Sequence, residues 1–274
     1  MLLFNLISVE ILGTIYERFL GKIVRPHGRG VMIEEKPEVR KAGGVYYTPS
    51  YIVDYIVEQT VGKLVDDKKP ADTLKLTVLD PACGSGSFLI RAYERLCEHW
   101  QRHLTRNPEA RKKKLCWVDA VTGDVHLTVS LKREILTNNI YGVDLDAAAV
   151  EVTQLSLYLK MLENENRNTL ARERELFAED IALLPPLQDN IKNGNSLIAS
   201  DFSMMAEDLI RVRAFDWPVQ FAPIMKAGGF DAVIGNPPYL SSAGQESISY
   251  FNERYRLSEY QTDFYTYFIE KALT

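Results

Sequence analysis

Thr77-Val78-Leu79-Asp80-Pro81-Ala82-Cys83-Gly84-Ser85-Gly86-Ser87-Phe88-Leu89 is the stretch from which the fold is read. Apolar residues Leu74, Leu76, Val78 and Leu79 run into the acid Asp80, and the chain then turns through Pro81, Gly84 and Gly86. Phe88, Leu89, Ala92 and Leu96 follow at helical spacing. This order predicts a buried strand, a tight glycine loop and a helix. Glycine at the carboxyl end of a parallel strand lets a ligand approach where a Cβ would obstruct it. Asp80 is expected at the lip of that crevice. A dinucleotide loop reads G-x-G-x-x-G/A, but Leu89 holds the third position, so a nucleoside suits the loop better than a pyrophosphate. A tight turn without a ligand would explain the two glycines alone. The second signal is Asn236-Pro237-Pro238-Tyr239, placed directly after the strand-like run Phe230 to Gly235.

The chain has 274 residues, enough for one large α/β domain or two small ones. A net charge of −5 gives no overall field toward nucleic acid, so such contact must come from local patches. Apolar runs are far below membrane-spanning length. The amino terminus has no basic leader and Glu10 interrupts its apolar start, which argues against a signal peptide. Cys83, Cys97 and Cys116 lack paired metal spacing and read as reduced thiols of a cytoplasmic protein.

Upstream, Leu6, Val9, Leu12, Tyr16, Phe19 and Leu20 predict an amphipathic packing helix over 1–20. Residues 22–44, rich in Gly, Pro and basic side chains, read as a loop or linker. Domain organisation is accordingly 1–42 as helical connector and linker, then 43–274. In Tyr47-Thr48-Pro49, Thr48 or Ser50 is expected to cap the next helix, with Pro49 in its first turn. The amino terminus of that helix would suit a carboxylate. His99 and His103 lack a third metal ligand and are assigned to a solvated helix face. Residues 105–128 read as an insertion with a hairpin turn at Val121-Thr122-Gly123-Asp124 and a solvated basic run, Arg111 to Lys114.

Leu131 to Leu136 predicts a short helix, and Asn139 to Asp144 a second parallel strand that again ends in an acid. The insertion lengthens the gap of roughly twenty residues that normally precedes a ribose-binding acid. A helix over Ala147–Met161, an exposed charged segment from Glu163 to Glu175, and a third strand and turn from Ile191 to Ile198 follow. Asn195 could pair with a purine edge, because an amide both donates and accepts, or simply serve the turn. Residues 200–229 read as a mixed connector, 240–262 as loop, and Asp263 to Leu273 as a final helix.

Six motifs now stand in one order: Tyr47-Thr48-Pro49, Asp80 to Phe88, Gly142-Val143-Asp144, Gly194-Asn195-Ser196-Leu197, Asn236-Pro237-Pro238-Tyr239 and Asp263-Phe264-Tyr265. In that order the chain resembles the amino-terminal part of the catalytic domain of adenine-N6 DNA methyltransferases, the kind found in bifunctional restriction–modification enzymes. The opening helix resembles the connector that precedes the methylase region in those enzymes.

The resemblance implies an α/β, Rossmann-like S-adenosylmethionine-dependent methyltransferase sheet, of which this chain carries strands 1 to 4 of the order 3-2-1-4-5-7-6. Strand 4 would be a bare apolar edge, so the segment is expected to be a fragment of a larger polypeptide or a truncated gene product. It implies S-adenosylmethionine as cofactor. Asp144 and the adjoining Leu145 would hold its ribose, and Asn195 and Ser196 its adenine. Pro81, Ala82, Cys83, Gly84, Ser85, Gly86, Ser87 and Phe88, with Asp80, would hold its methionine part, and Tyr47, Thr48 and Pro49 would lie near the carboxylate. Asn236 also borders the donor. Family members often have Asp at the position of Asn195.

The chemistry accounts for the acceptor motif. Adenine N6 is a poor nucleophile, because its lone pair is delocalised into the ring. The Asn236 side-chain oxygen and the Pro237 carbonyl can accept its N–H bonds, with Pro237 and Pro238 stiffening the loop. Tyr239 can stack on the base once it is flipped out of double-stranded DNA. Cytosine-N4 and protein-glutamine transfer need the same acceptors and stay open as alternatives, as does a catalytically silent module of a restriction complex.

Overall fold

The computed structural model describes residues 22–27, 30–35, 48–165, 169–171, 184–239, 245–258 and 263–274. The expected opening helix and Tyr47 lie outside the described residues.

Four strands form one parallel sheet: β3 (Val78–Asp80), β6 (Ile140–Asp144), β7 (Ile191–Asn193) and β8 (Ala232–Val233), in the order β7-β6-β3-β8. This is the expected 3-2-1-4 arrangement. Register pairs Val78 with Ile140 and Leu79 with Tyr141, so side chains alternate between two faces. Val78 and Ile140 enter the larger core with Val53, Val57, Leu89, Leu96, Leu136 and Leu157. Leu79 and Val143 enter an aromatic cluster of Phe215, Trp217 and Phe221 on the other face. Both faces are therefore covered, which explains why these strands read as continuous apolar runs.

On the larger core lie α1 (Ser50–Val57), extended by a π turn (Glu58–Gly62) and α2 (Lys63–Asp66). A short α3 (Pro70–Thr73) leads into β3. Beside them are α4 (Ser87–Arg106), α5 (Val129–Asn139) and α6 (Ala147–Met161). Thr128 caps α5 through Leu131 N–H at 3.2 Å, and Asp146 caps α6 through Ala148 N–H at 2.9 Å. Two buried amides fix where β6 begins. Asn139 Nδ2 donates to the carbonyls of Thr73 and Leu76, and Asn190 Nδ2 donates to those of Thr137 and Ile140.

Between α4 and α5, β4 (Cys116–Val118) and β5 (Val125–Leu127) form an antiparallel hairpin, with Gly123 at φ +78 in the expected turn. Arg111 ends α4 by donating to the Leu104 and Thr105 carbonyls, and Lys112 to Lys114 are exposed.

Several expectations are corrected. Within the expected loop, residues 22–27 and 30–35 are strands: β1 (Lys22–His27) and β2 (Gly30–Glu35) pair antiparallel. The β-branched Ile23, Val24, Val31 and Ile33 outweigh the Pro and Gly content, and a two-stranded ribbon tolerates Pro26 because each strand is an edge. The connector 200–229 contains α7 (Ala206–Val212), α8 (Trp217–Gln220) and α9 (Ala222–Lys226). The supposed loop 240–262 contains α10 (Gln245–Arg254), whose Phe251 packs with Tyr255 and with Tyr267 of α11 (Phe264–Leu273). The segment after α6 is not uniformly exposed. Glu165 is buried because it pairs with Lys132 at 2.6 Å. His99 is not solvated either; its ring contacts the Lys68 carbonyl at 3.1 Å.

Asn139 is fully buried, and its removal takes away two interior hydrogen bonds, one to the Leu76 carbonyl and one to the Thr73 carbonyl, which keeps only Leu76 N–H. Asn139→Ala is expected to lower stability by about 2–4 kcal/mol, read as a shift of the urea midpoint without a change in slope.

Candidate functional site

Parallel neighbours β3, β6 and β8 end at one edge of the sheet, so the loops after Asp80, Asp144 and Val233 emerge together. The glycine loop after β3 is held from several sides. Cys83 N–H donates to the Val143 carbonyl at 3.0 Å, and Gly86 N–H donates back to the Cys83 carbonyl at 2.8 Å. Gly84 and Gly86 have φ of +54 and +87, a conformation that side-chain-bearing residues rarely adopt. Gly86 then caps α4. Thr153 of α6 donates to the Gly84 carbonyl at 2.8 Å and stands where a Gly86 Cβ would go. Beside Gly84 there is open space instead. Two glycines two residues apart thus have different purposes. Gly86 makes room for protein, and Gly84 faces open space at the loop surface.

Asp144 closes this loop from β6. Its Oδ2 accepts from Gly84 N–H and its Oδ1 from Asp146 N–H, each at 2.8 Å. Burial pushes its carboxyl above the ordinary range, and these two amides pull it back. Arg213, at φ +53, adds a positive charge nearby and donates to the Leu145 carbonyl. Asn193 Nδ2 also donates to the Asp144 and Leu145 carbonyls, and Leu145 itself is exposed.

Asp80 is not at the lip of the crevice. It is 1% exposed, beneath the loop, where its Oδ1 accepts from Ala82 N–H at 3.0 Å. Burial above all, with the nearby Asp144 charge, raises its pKa from 3.8 to about 7, while the Ala82 amide opposes the shift. It ends the inner strand β3, flanked by β6 and β8. Gly235, at φ +153, passes so close that a Cβ there would stand 2.5 Å from Asp80 Oδ1. The glycine loop and the loop after β8 therefore share one contact.

Asn236 follows Gly235, and its amide bridges two further motifs. Nδ2 donates to Thr48 Oγ1 at 3.0 Å, and Oδ1 accepts from Tyr239 Oη at 2.9 Å. The expected capping by Thr48 or Ser50 does not occur. Pro49 is the residue before α1, its carbonyl accepts from Ile52 and Val53, and no side chain caps the helix. The Thr48 hydroxyl is engaged by Asn236 instead. Pro237 is half-buried, and Pro238 and Tyr239 are exposed. Tyr239 is placed by Phe264, whose N–H donates to its carbonyl at 3.0 Å, and by an edge contact with Tyr265 at 5.9 Å.

The remaining sequence-derived positions divide. Pro81, Ala82 and Ser87 are half-buried at the loop, whereas Cys83, Ser85 and Phe88 are interior. Ser196 is interior and donates to the Pro81 carbonyl at 2.5 Å. Asn195 Oδ1 accepts from Leu197 N–H at 3.0 Å, which occupies that oxygen within its own turn. Thr153, Asn193 and Arg213 were not singled out in the sequence. Thr153 lies on α6, Asn193 at the end of β7 and Arg213 in the turn after α7, none within a local motif, and only the tertiary fold brings them to the loop. Among the described residues, no cluster of His, Cys, Asp or Glu could hold a metal ion.

The sequence model of the family described as Eco57I restriction-modification methylase matches residues 138–274, half of the chain. The chain belongs to this family. Its curated relatives include the type II restriction enzyme and methyltransferase RM.Eco57I of Escherichia coli, 32% identical over 98% of this chain and 26% of the relative. A putative type II restriction enzyme and methyltransferase of Methanocaldococcus jannaschii is 27% identical over 70% of this chain and 16% of its own length. The adenine-specific methyltransferase PglX of Streptomyces coelicolor is 22% identical over 79% of this chain and 16% of its own length. The chain thus spans about a quarter or less of the length of these family relatives. Among the described residues, no helix is long and apolar enough to cross a membrane.

The Asp80 carboxyl gives a pH test. A carboxyl whose pKa is higher folded than unfolded reduces stability as pH rises between the two values, and its effect is constant above the upper one. From pH 4 to 7 the wild type is expected to lose stability relative to Asp80→Asn, with no further divergence above about pH 7.5. Urea midpoints of both proteins across that range check it.

Proposed function

We propose that this chain is the donor- and amine-binding part of an S-adenosylmethionine-dependent DNA methyltransferase of a restriction–modification system, acting on adenine N6. The observation that carries this reading is the Asn236 amide. It is set at the end of β8 beside the glycine loop, with Oδ1 already in contact with a hydrogen-bond donor, the Tyr239 hydroxyl. A target amine would donate to the same oxygen. Membership of a methylase family and the adenine-specific relative support the reading.

The residues fit the proposed cofactor. The open side of Gly84 is space a Cβ would fill. Each Asp144 carboxylate oxygen has one amide partner and can accept a second bond, as two ribose hydroxyls require. The Nδ2 end of Asn195 can donate to a purine nitrogen, its oxygen being taken. Bound S-adenosylmethionine would supply a sulfonium-activated methyl group.

The chain's own residues do the rest. Asn236 Oδ1 and the Pro237 carbonyl accept the two N–H bonds of the amine, which draws its lone pair out of conjugation. The amine proton is lost after the nitrogen has become cationic, so no strong base is required. Tyr239, 51% exposed, offers a ring face to an extruded base, and stacking of that kind is worth roughly 1–3 kcal/mol. Double-stranded DNA and the remainder of a larger polypeptide are the proposed partners, and the cytoplasm the proposed location.

Asn236→Ala is expected to lower kcat for methyl transfer to unmethylated DNA by about 10²–10³-fold, with S-adenosylmethionine affinity by calorimetry within threefold of wild type. Asp144→Ala is expected to abolish that binding. Digestion of the product to nucleosides should give N6-methyladenine. N4-methylcytosine or a methylated protein would replace the adenine assignment, and a folded wild type that binds no donor would point to the silent module.

A further inference from the structure

Thr48 was placed near the donor by its motif, but its hydroxyl meets the acceptor residue: Asn236 Nδ2 donates to Oγ1 at 3.0 Å across almost the whole described sequence. We infer that Thr48 is a positioning residue that holds the Asn236 amide in place toward the target amine. The inference rests on the proposed amine-binding role of Asn236.

The argument is one of donors and acceptors. An amide has a donating end and an accepting end, and rotation by half a turn about its terminal bond exchanges them. An amine held for methylation brings N–H donors, so only the oxygen end is productive; the reversed amide would set donor against donor. At Asn236 the oxygen faces Tyr239 and the nitrogen faces Thr48. Tyr239 is half exposed, so an incoming amine can share or displace its bond to Oδ1. The contact on the nitrogen side then holds the side chain in place, and that contact is Thr48. Thr48 is itself anchored, since the next residue, Pro49, immediately precedes α1 and has its carbonyl bonded to Ile52 and Val53 N–H. From the other side, Gly235 packed on Asp80 fixes the backbone that carries Asn236. Two independent anchors thus define the amide, one for its main chain and one for its plane.

Thr48→Val keeps the shape and removes the hydroxyl, and Thr48→Ser keeps the hydroxyl. In the full-length polypeptide that contains this chain, with tritiated S-adenosylmethionine and unmethylated plasmid DNA, Thr48→Val is expected to lower kcat by about 10²-fold, the cost of comparable misplacement. Donor affinity by calorimetry should remain within threefold of wild type, and Thr48→Ser should recover most of kcat. A purely structural role would not give this split between kcat and donor affinity together with rescue by serine. Thr48→Val with full kcat overturns the inference, as does a variant whose donor affinity falls while kcat is kept, which would make Thr48 a donor contact. A wild type that binds donor but transfers no methyl overturns the function proposed for Asn236, and the inference with it.

Discussion

The contact between Asp80 and Gly235 is the constraint on which the site depends. It joins the tips of two adjacent parallel strands, the only places where β3 and β8 hand over to irregular chain. It requires a glycine on one side and a small, buried carboxyl on the other, and burial makes that carboxyl hold its proton to about pH 7. A neutral acid at this point suits its surroundings. An ionised one would lie close to Asp144, with the glycine loop between them.

Around this contact the molecule separates rigid from open surface. Thr153, Ser196 and the Val143 carbonyl hold the glycine loop from beneath. Gly84, Leu145, Pro238 and Tyr239 remain on its outer side. The same division appears within single motifs. In Asp80 to Phe88 the alternation of buried and half-buried residues shows which part of the motif is scaffold and which is surface.

Much of this was legible from sequence. Strands β3 and β6 came from apolar runs ending in Asp80 and Asp144, and the sheet order from the resemblance to the methyltransferase family. The glycine loop and the Asn236 motif were found because the required backbone angles and the acceptor chemistry each limit the choice of residue. What could not be read was tertiary. Thr48 offered a helix cap by local rules, and the contact with Asn236 displaced it. Asp80 looked like a rim carboxylate because sequence does not report depth. The antiparallel pair β1–β2 and helix α10 were hidden by polar and aromatic composition, which local rules assign to loops. Glu165 was taken for an exposed charge, since its partner Lys132 belongs to a different helix.

Cys83 has a consequence of its own. It lies in the middle of the glycine loop, 4% exposed, and burial together with the charges of Asp144 and Asp80 drives its thiol pKa far above the ordinary value. The thiolate is the reactive form, so alkylating reagents and peroxide find almost none of it there. The glycine loop thus has at its centre a sulfur that burial shields from such reagents.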